Sequence, residues 1–133
     1  MIEAVLGGRT QSVTTLIQAG ADIEARGDDG RTALAVASRE GYNEIVNVLL
    51  ASKAQIETRD NDGHTPLWSA AANGQTDVVR ALVSAEADVN TQRNDGVSTL
   101  GIASLAGHID VVNVLLDNGA QIETRDNDGR TPL

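Results

Sequence analysis

The sequence contains no cysteine and no phenylalanine, and its only aromatic residues are Tyr42 and Trp68. Without cysteine there are no disulfide staples, thiolate metal sites or thiol nucleophiles, a composition that fits a reducing compartment. The two histidines, His64 and His108, leave little material for metal chemistry. Cationic side chains are also scarce, ten Lys and Arg against nineteen Asp and Glu, for a net charge of −9. A surface of that sign repels phosphate backbones, so nucleic acid and anionic membrane are poor partners. No apolar run approaches the roughly 20 residues of a membrane helix, and the start MIEAVLGGRT lacks a basic stretch ahead of an apolar one. The expectation is an intracellular, cytoplasmic protein. At 133 residues the chain fits one domain, with a thin, layered core built from Ala, Val, Leu and Ile.

What the chain has instead is self-similarity. Gly30, Gly63, Gly96 and Gly129 recur every 33 residues, and so do Gly8, Gly41, Gly74 and Gly107. Ala21, Ala54, Ala87 and Ala120 keep the interval, as do Ile23, Ile56, Val89 and Ile122. The segment AQIETRDNDGHTPL at 54–67 returns at 120–133 with one residue changed in fourteen.

Each unit reads as a turn and two short helices. In DGHTPLWSAAANG (62–74), Thr65 is placed as an N-cap with Pro66 at the first helical position, where its missing N–H costs nothing. Leu67, Ala70 and Ala71 then share one face, and Gly74 supplies the left-handed residue that ends the helix. In the following TDVVRALVSA, Val78, Val79, Leu82 and Val83 form a second apolar stripe, with Thr76 and Asp77 available to cap it or favour its positive end. An extended stretch closed by Asn-Asp-Gly or Asp-Asp-Gly predicts a hairpin. One such unit cannot bury its apolar faces alone, whereas stacked neighbours cover them, and small Ala side chains on the inner helices let the layers approach.

With G-x-T-P-L, the Ala pair, the internal Gly, V-V-x-x-L and A-D-V-N all in phase, 60–93 resembles an ankyrin repeat almost throughout, and the resemblance extends over essentially the whole chain. It implies an all-α repeat solenoid of stacked antiparallel helix pairs joined by β-hairpin loops. Over 1–133 this is a single ankyrin repeat domain, divided into a first unit lacking its hairpin start (1–26), full units at 27–59, 60–92 and 93–125, and a truncated final unit at 126–133. Trp68 stands where the family usually has a His that bonds to neighbouring backbone, with Ala35 and Gly101 at the matching places. Lys53 and Glu86 replace the Gly kept at Gly20 and Gly119, which predicts a differently ended helix or a strained left-handed residue. Neither end reads as a polar cap, so an excised piece of a longer array or covered ends are both expected readings, and head-to-tail stacking of copies is conceivable.

Chemistry finds little footing. The tip D-N-D-G at 60–63 resembles a calcium loop in outline, but Thr58 and Ser69 stand where that loop needs carboxylates, so the acids are read as turn formers. His64 and His108 lie in different phases, leaving no catalytic triad and no shared metal, and Gly7-Gly8 opens no phosphate loop. Asn90 matches a context in which some ankyrin asparagines are hydroxylated and also suits a hydrogen-bonding loop residue. No enzyme activity, cofactor or metal is expected.

The resemblance implies a protein–protein interaction module or scaffold, binding a folded partner or extended peptide through hairpin tips and the inner-helix face. The negative rim favours a basic or mixed-charge partner. The expected contacts are Arg31, Arg39, His64, Trp68, Asn73, Val97 and Leu105, with Val97 and Leu105 read as exposed apolar residues. Trp68 is read either as the anchor of that patch or as a packing residue between layers. A structural array element that self-associates through its ends is the alternative.

Overall fold

The computed structural model of the chain describes residues 1–122. Among these residues there are eight helices and no strand: α1 (Ile2–Leu6), α2 (Thr10–Gln18), α3 (Ala33–Glu40), α4 (Asn43–Ala51), α5 (Pro66–Ala72), α6 (Thr76–Ser84), α7 (Thr99–Ala106) and α8 (Ile109–Asp117). The odd-numbered helices pack in series as an inner layer, the even-numbered ones as an outer layer, and each inner helix packs on the outer helix that follows it. The expected final hairpin and truncated unit at 126–133 lie outside the described residues.

Every inner helix with a loop ahead of it starts on a hydroxyl. Thr32, Thr65 and Ser98 accept the N–H of Ala35, Trp68 and Gly101 from extended backbone. Pro66 follows the cap only in α5, yet α3 and α7 begin at the same phase, so the cap rather than the proline sets the start. The outer helices behave differently. Their first flanking residues, Arg9, Tyr42, Gln75 and His108, make no side-chain cap bond. Thr76 and Asp77 do not cap α6 but lie inside its first turn, where the Asp77 carboxylate favours the positive helix end. The residues at the cap position reach backwards to the preceding unit: Tyr42 Oη donates to Leu6 O at 3.5 Å, Gln75 Nε2 to Arg39 O at 3.0 Å, and His108 Nε2 lies 3.2 Å from Ala72 O. A carbonyl only accepts, so Nε2 carries the proton of His108.

The layers meet through small residues. Ala37, Ala70 and Ala103 occupy one phase of the inner helices and are fully buried, with Leu34, Leu67 and Leu100 beside them. Ile45, Leu49, Val78, Val79, Leu82, Val111 and Leu115 complete one continuous core from the outer layer. Burial of each such Leu or Ile contributes about 1.5–3 kcal/mol, far more than an exposed ion pair, and this outweighs the missing aromatics.

The loops depart from the hairpin expectation. Three of them close with two backbone bonds each, one across the mouth (Gly27 N to Arg31 O, Asp60 N to His64 O, Arg93 N to Val97 O, 2.8–3.1 Å) and one within the turn (Gly30 N to Gly27 O, Gly63 N to Asp60 O, Gly96 N to Arg93 O, 2.9–3.0 Å). The isolated bridge Gln92–Ser98 is the only β pairing among the described residues. Aspartate side chains explain why the ladder stops: Asp29 accepts Arg31 N–H, Asp60 accepts Asp62 and His64 N–H, and Asp95 accepts Val97 N–H. These short tips are called fingers below.

Between units, Arg26 Nη1 donates to Gly30 O of its own finger and to Arg59 O of the next unit, at 2.9 and 2.6 Å. Arg59 repeats this with Gly63 O and Gln92 O. On the same connecting stretch, Glu24, Glu57 and Asn90 accept the backbone N–H of Gln55, Asp88 and Gln121 at 2.8–2.9 Å. Asn90 therefore has the structural role foreseen for it, with its amide also 3.5 Å from Gly119 O.

Lys53 and Glu86 hold φ at 67° and 70°, in the left-handed region that Gly20 and Gly119 occupy at 87° and 90°. An L side chain there costs about 1–2 kcal/mol, partly offset in glycine by its larger loss of chain entropy. Lys53→Gly and Glu86→Gly should each raise the free energy of unfolding in urea by about 1 kcal/mol, with the two effects adding. A drop in stability at either site would mean that the side-chain stem outweighs the backbone strain.

Candidate protein-binding surface

The fingers at 27–31, 60–64 and 93–97 occupy the same place in successive units but carry different charge patterns. In the first, Arg31 Nη1 pairs with Asp29 at 3.1 Å and Arg31 Nε reaches across to Asp60 at 3.1 Å. In the third, Arg93 forks onto Asp95 through Nε and Nη2. In the second, the positions matching Arg31 and Arg93 are His64 and Asp60.

Asp60 is the hidden centre of this region, its side chain only 2% exposed. One carboxylate oxygen accepts Arg31 Nε at 3.1 Å and lies 3.0 Å from His64 Nδ1. The other accepts the N–H of Asp62 and His64 at 3.0 and 2.9 Å. Burial pushes the Asp60 carboxyl up, but the backbone and ring bonds of His64, its charge and the Asp62 N–H outweigh this and hold it below its ordinary value. Asp95 is lowered to about 2, chiefly by the Arg93 fork, against desolvation and with help from Val97 N–H.

His64 stacks on Trp68 with ring centroids 4.3 Å apart and planes 18° from parallel. The Arg93 guanidinium lies 5.0 Å from the centre of the Trp68 ring, within cation–π range. Trp68 Nε1 donates to Val97 O of the next finger at 3.1 Å. The indole thus makes the bond to neighbouring backbone that the resemblance implies for a His at this position.

These distances relocate part of the expected contact set. Trp68 is 5% exposed and packs between layers, because its indole is held by His64, Arg93 and Val97 O. Val97 was expected at the surface and is 9% exposed, since its carbonyl takes that indole bond and its N–H is tied to Asp95. Arg31 and His64 are half-buried, with Arg31 Nε and His64 Nδ1 turned toward Asp60. Arg39 is exposed, 3.9 Å from Glu40. Asn73 is exposed and donates to Ser69 O. Leu105 is 71% exposed, as expected. Arg39, Asn73 and Leu105 lie together at the C-terminal ends of inner helices, whereas Arg31, His64, Trp68 and Val97 belong to the finger side.

Sequence reasoning missed Asp60, Arg93 and two exposed apolar residues, Leu6 at 57% and Ile109 at 68%. Leu6 was recoverable, since it shares the phase of Arg39, Ala72 and Leu105. One ligand atom from each of Asp60, Asp62 and His64 lies within 4.8 Å of the others. The Asp60 oxygens and His64 Nδ1 are already bonded to each other, to Arg31 and to backbone, so this donor set is a poor fit to a metal.

Family comparison agrees with the geometry. The model described as ankyrin repeats (3 copies) matches residues 1–93, and the one described as ankyrin repeats (many copies) matches residues 82–133. The chain belongs to the ankyrin repeat family, whose members are generally protein–protein interaction modules and generally non-catalytic. Comparison with curated proteins finds no match. Among the described residues no helix is long and apolar enough to cross a membrane.

Trp68→Ala should destabilise the fold by about 3–5 kcal/mol in denaturant melts, the range for emptying a large aromatic site. Trp68→Phe should lose about 1–2 kcal/mol, reflecting the lost indole bond and ring volume, while the Val97 carbonyl keeps the Arg93 N–H. The depressed carboxyls set a pH window. A carboxyl whose folded value lies below its unfolded one stabilises the fold above the unfolded value, and that contribution is lost as pH falls through the folded one. Thermal midpoints should therefore fall as pH is lowered from the ordinary carboxyl value of 3.8 toward the Asp95 value of about 2. Asp60→Asn should flatten that slope while lowering the midpoint at neutral pH.

Proposed function

We propose that this chain is a non-catalytic binding module that takes a protein partner along the finger tips and the C-terminal ends of its inner helices. The observation that carries this reading is a contrast between rows in the same 33-residue phase. Core rows such as Ala37, Ala70 and Ala103 or Leu49, Leu82 and Leu115 keep their chemistry from unit to unit, the buried row Ala35, Trp68 and Gly101 being an exception. The row Leu6, Arg39, Ala72 and Leu105 changes with every unit, from apolar to cationic to small to apolar. Packing dictates the first kind of row and leaves the second free to recognise something. Leu105 and Leu6 supply apolar contacts, Arg39 and Asn73 polar ones, while Trp68 and Val97 stiffen the finger side from beneath.

Charge supports a basic or mixed-charge partner. Arg26 and Arg59 are engaged by backbone carbonyls, and Arg31, Arg39, Arg80 and Arg93 each pair with an acid, so these cations are already partnered within the chain. Asp28 and Asp62 remain exposed at the tips. A rim of that sign raises association rates more than final affinity.

The test is to select small binders by display against the 133-residue chain and map them by substitution. Leu105→Asp and Arg39→Glu should each weaken binding by on the order of tenfold or more, as expected for central contacts. Asn113→Asp, on the outer layer, should leave binding unchanged. Binders that respond only to Asn113→Asp, or a chain whose mass grows with concentration in sedimentation and yields no binder, would overturn the proposal; the second outcome would favour the array reading.

A further inference from the structure

We infer that the groove between the second and third finger tips is a receptor for an arginine side chain of the bound partner. This rests on the reading of the chain as a protein-binding module and narrows it to one contact. The groove has a volume of about 280 Å³ and is lined by Asn61, Asp62, His64, Arg93, Asn94 and Asp95. Its distinguishing feature is a mismatch among the three aspartates that share one phase.

Asp29 has both carboxylate oxygens engaged, one by the N–H and the other by the guanidinium of Arg31. Asp95 is likewise closed, by the Arg93 fork and the N–H of Val97. The first and third fingers each use an arginine to satisfy this carboxylate from within the same turn. The second has none to offer: His64 stands at the position of Arg31 and turns to Asp60, and Asp60 stands at the position of Arg93. Arg59 is directed to Gly63 O and Gln92 O. Asp62 consequently has no hydrogen-bond partner on either carboxylate oxygen among the described residues, and it is exposed.

Two adjacent acceptor oxygens with no donor match the fork of a guanidinium better than the single point of an ammonium. The opposite wall shows that the groove's chemistry accommodates such a pair, because Arg93 and Asp95 form one there. The walls are held in place before any partner arrives. His64 is stacked on Trp68 and bonded to Asp60, and Trp68 is bonded to the third finger through Val97 O, so the two tips are joined beneath the groove. A ligand entering there has little loop ordering to overcome. A metal ion is disfavoured, because Asp62 would be its one open ligand.

The test uses a capped Gly-Arg-Gly peptide, with Gly-Lys-Gly and Gly-citrulline-Gly as counterparts, titrated against isotopically labelled chain. Amide signals of residues 61–64 and 93–95 should move saturably with the arginine peptide, several-fold more weakly with lysine and not at all with citrulline. Asp62→Asn, which removes no internal bond, should weaken the arginine response at least fivefold. Asp28→Asn, an exposed tip acid outside the groove, should leave it unchanged. Equal responses from wild type and Asp62→Asn, or from arginine and citrulline, would overturn the inference. So would calcium or magnesium alone moving the same signals at micromolar concentration. If selected binders respond to Leu105→Asp but the arginine peptide fails, the binding module stands and this contact falls. If neither responds, both fall.

Discussion

Each unit of this chain presents backbone groups that a neighbouring unit satisfies. Arg26 and Arg59 bridge their own finger to a carbonyl one unit on, and Glu24, Glu57 and Asn90 receive a backbone N–H from one unit on. Gln75 and His108 reach in the other direction, to inner-helix carbonyls of the unit before. Most of these groups would otherwise be hydrated, so each bond contributes about 0.5–1.5 kcal/mol and acts chiefly on register. The apolar core makes neighbouring units stick, and these transfers fix how far each is displaced from the last. Stability is accordingly a property of junctions between units.

Much of this was legible in the sequence because its causes are periodic. The 33-residue interval, the hydroxyl caps at Thr32, Thr65 and Ser98, and the Ala row on the inner helices follow from residue type and phase alone. Lys53 and Glu86 could be flagged as left-handed because glycine held the equivalent places in other units. The caps of the outer helices were not legible. Thr76 and Asp77 have the right chemistry for a cap, but local preference cannot reveal that the decisive bonds run from Gln75 and His108 to a different unit. The hairpin expectation overshot for a related reason: the aspartates that favour a turn also take the N–H groups a strand ladder would need.

The finger side was the least readable part. Trp68 could be read equally as a surface anchor or as a packing residue, because its burial depends on Val97 O, Arg93 and His64, which the sequence places 29, 25 and 4 residues away. Asp60 was taken for a turn former and is also the buried point on which Arg31 and His64 converge. The exposure of Leu105 and Arg39 was legible because it follows directly from helix phase. Residues that act through one helix face can be read from a sequence, whereas those that act by joining three loops cannot.

The chain holds a single indole, and it lies at the joint between the second and third fingers. Fluorescence will therefore witness events at that one joint and stay silent about the others, while circular dichroism sums every helix. If the array frays from one extremity, the two signals will part company. A spectroscopist comparing them gains a map of where unfolding begins without introducing any label.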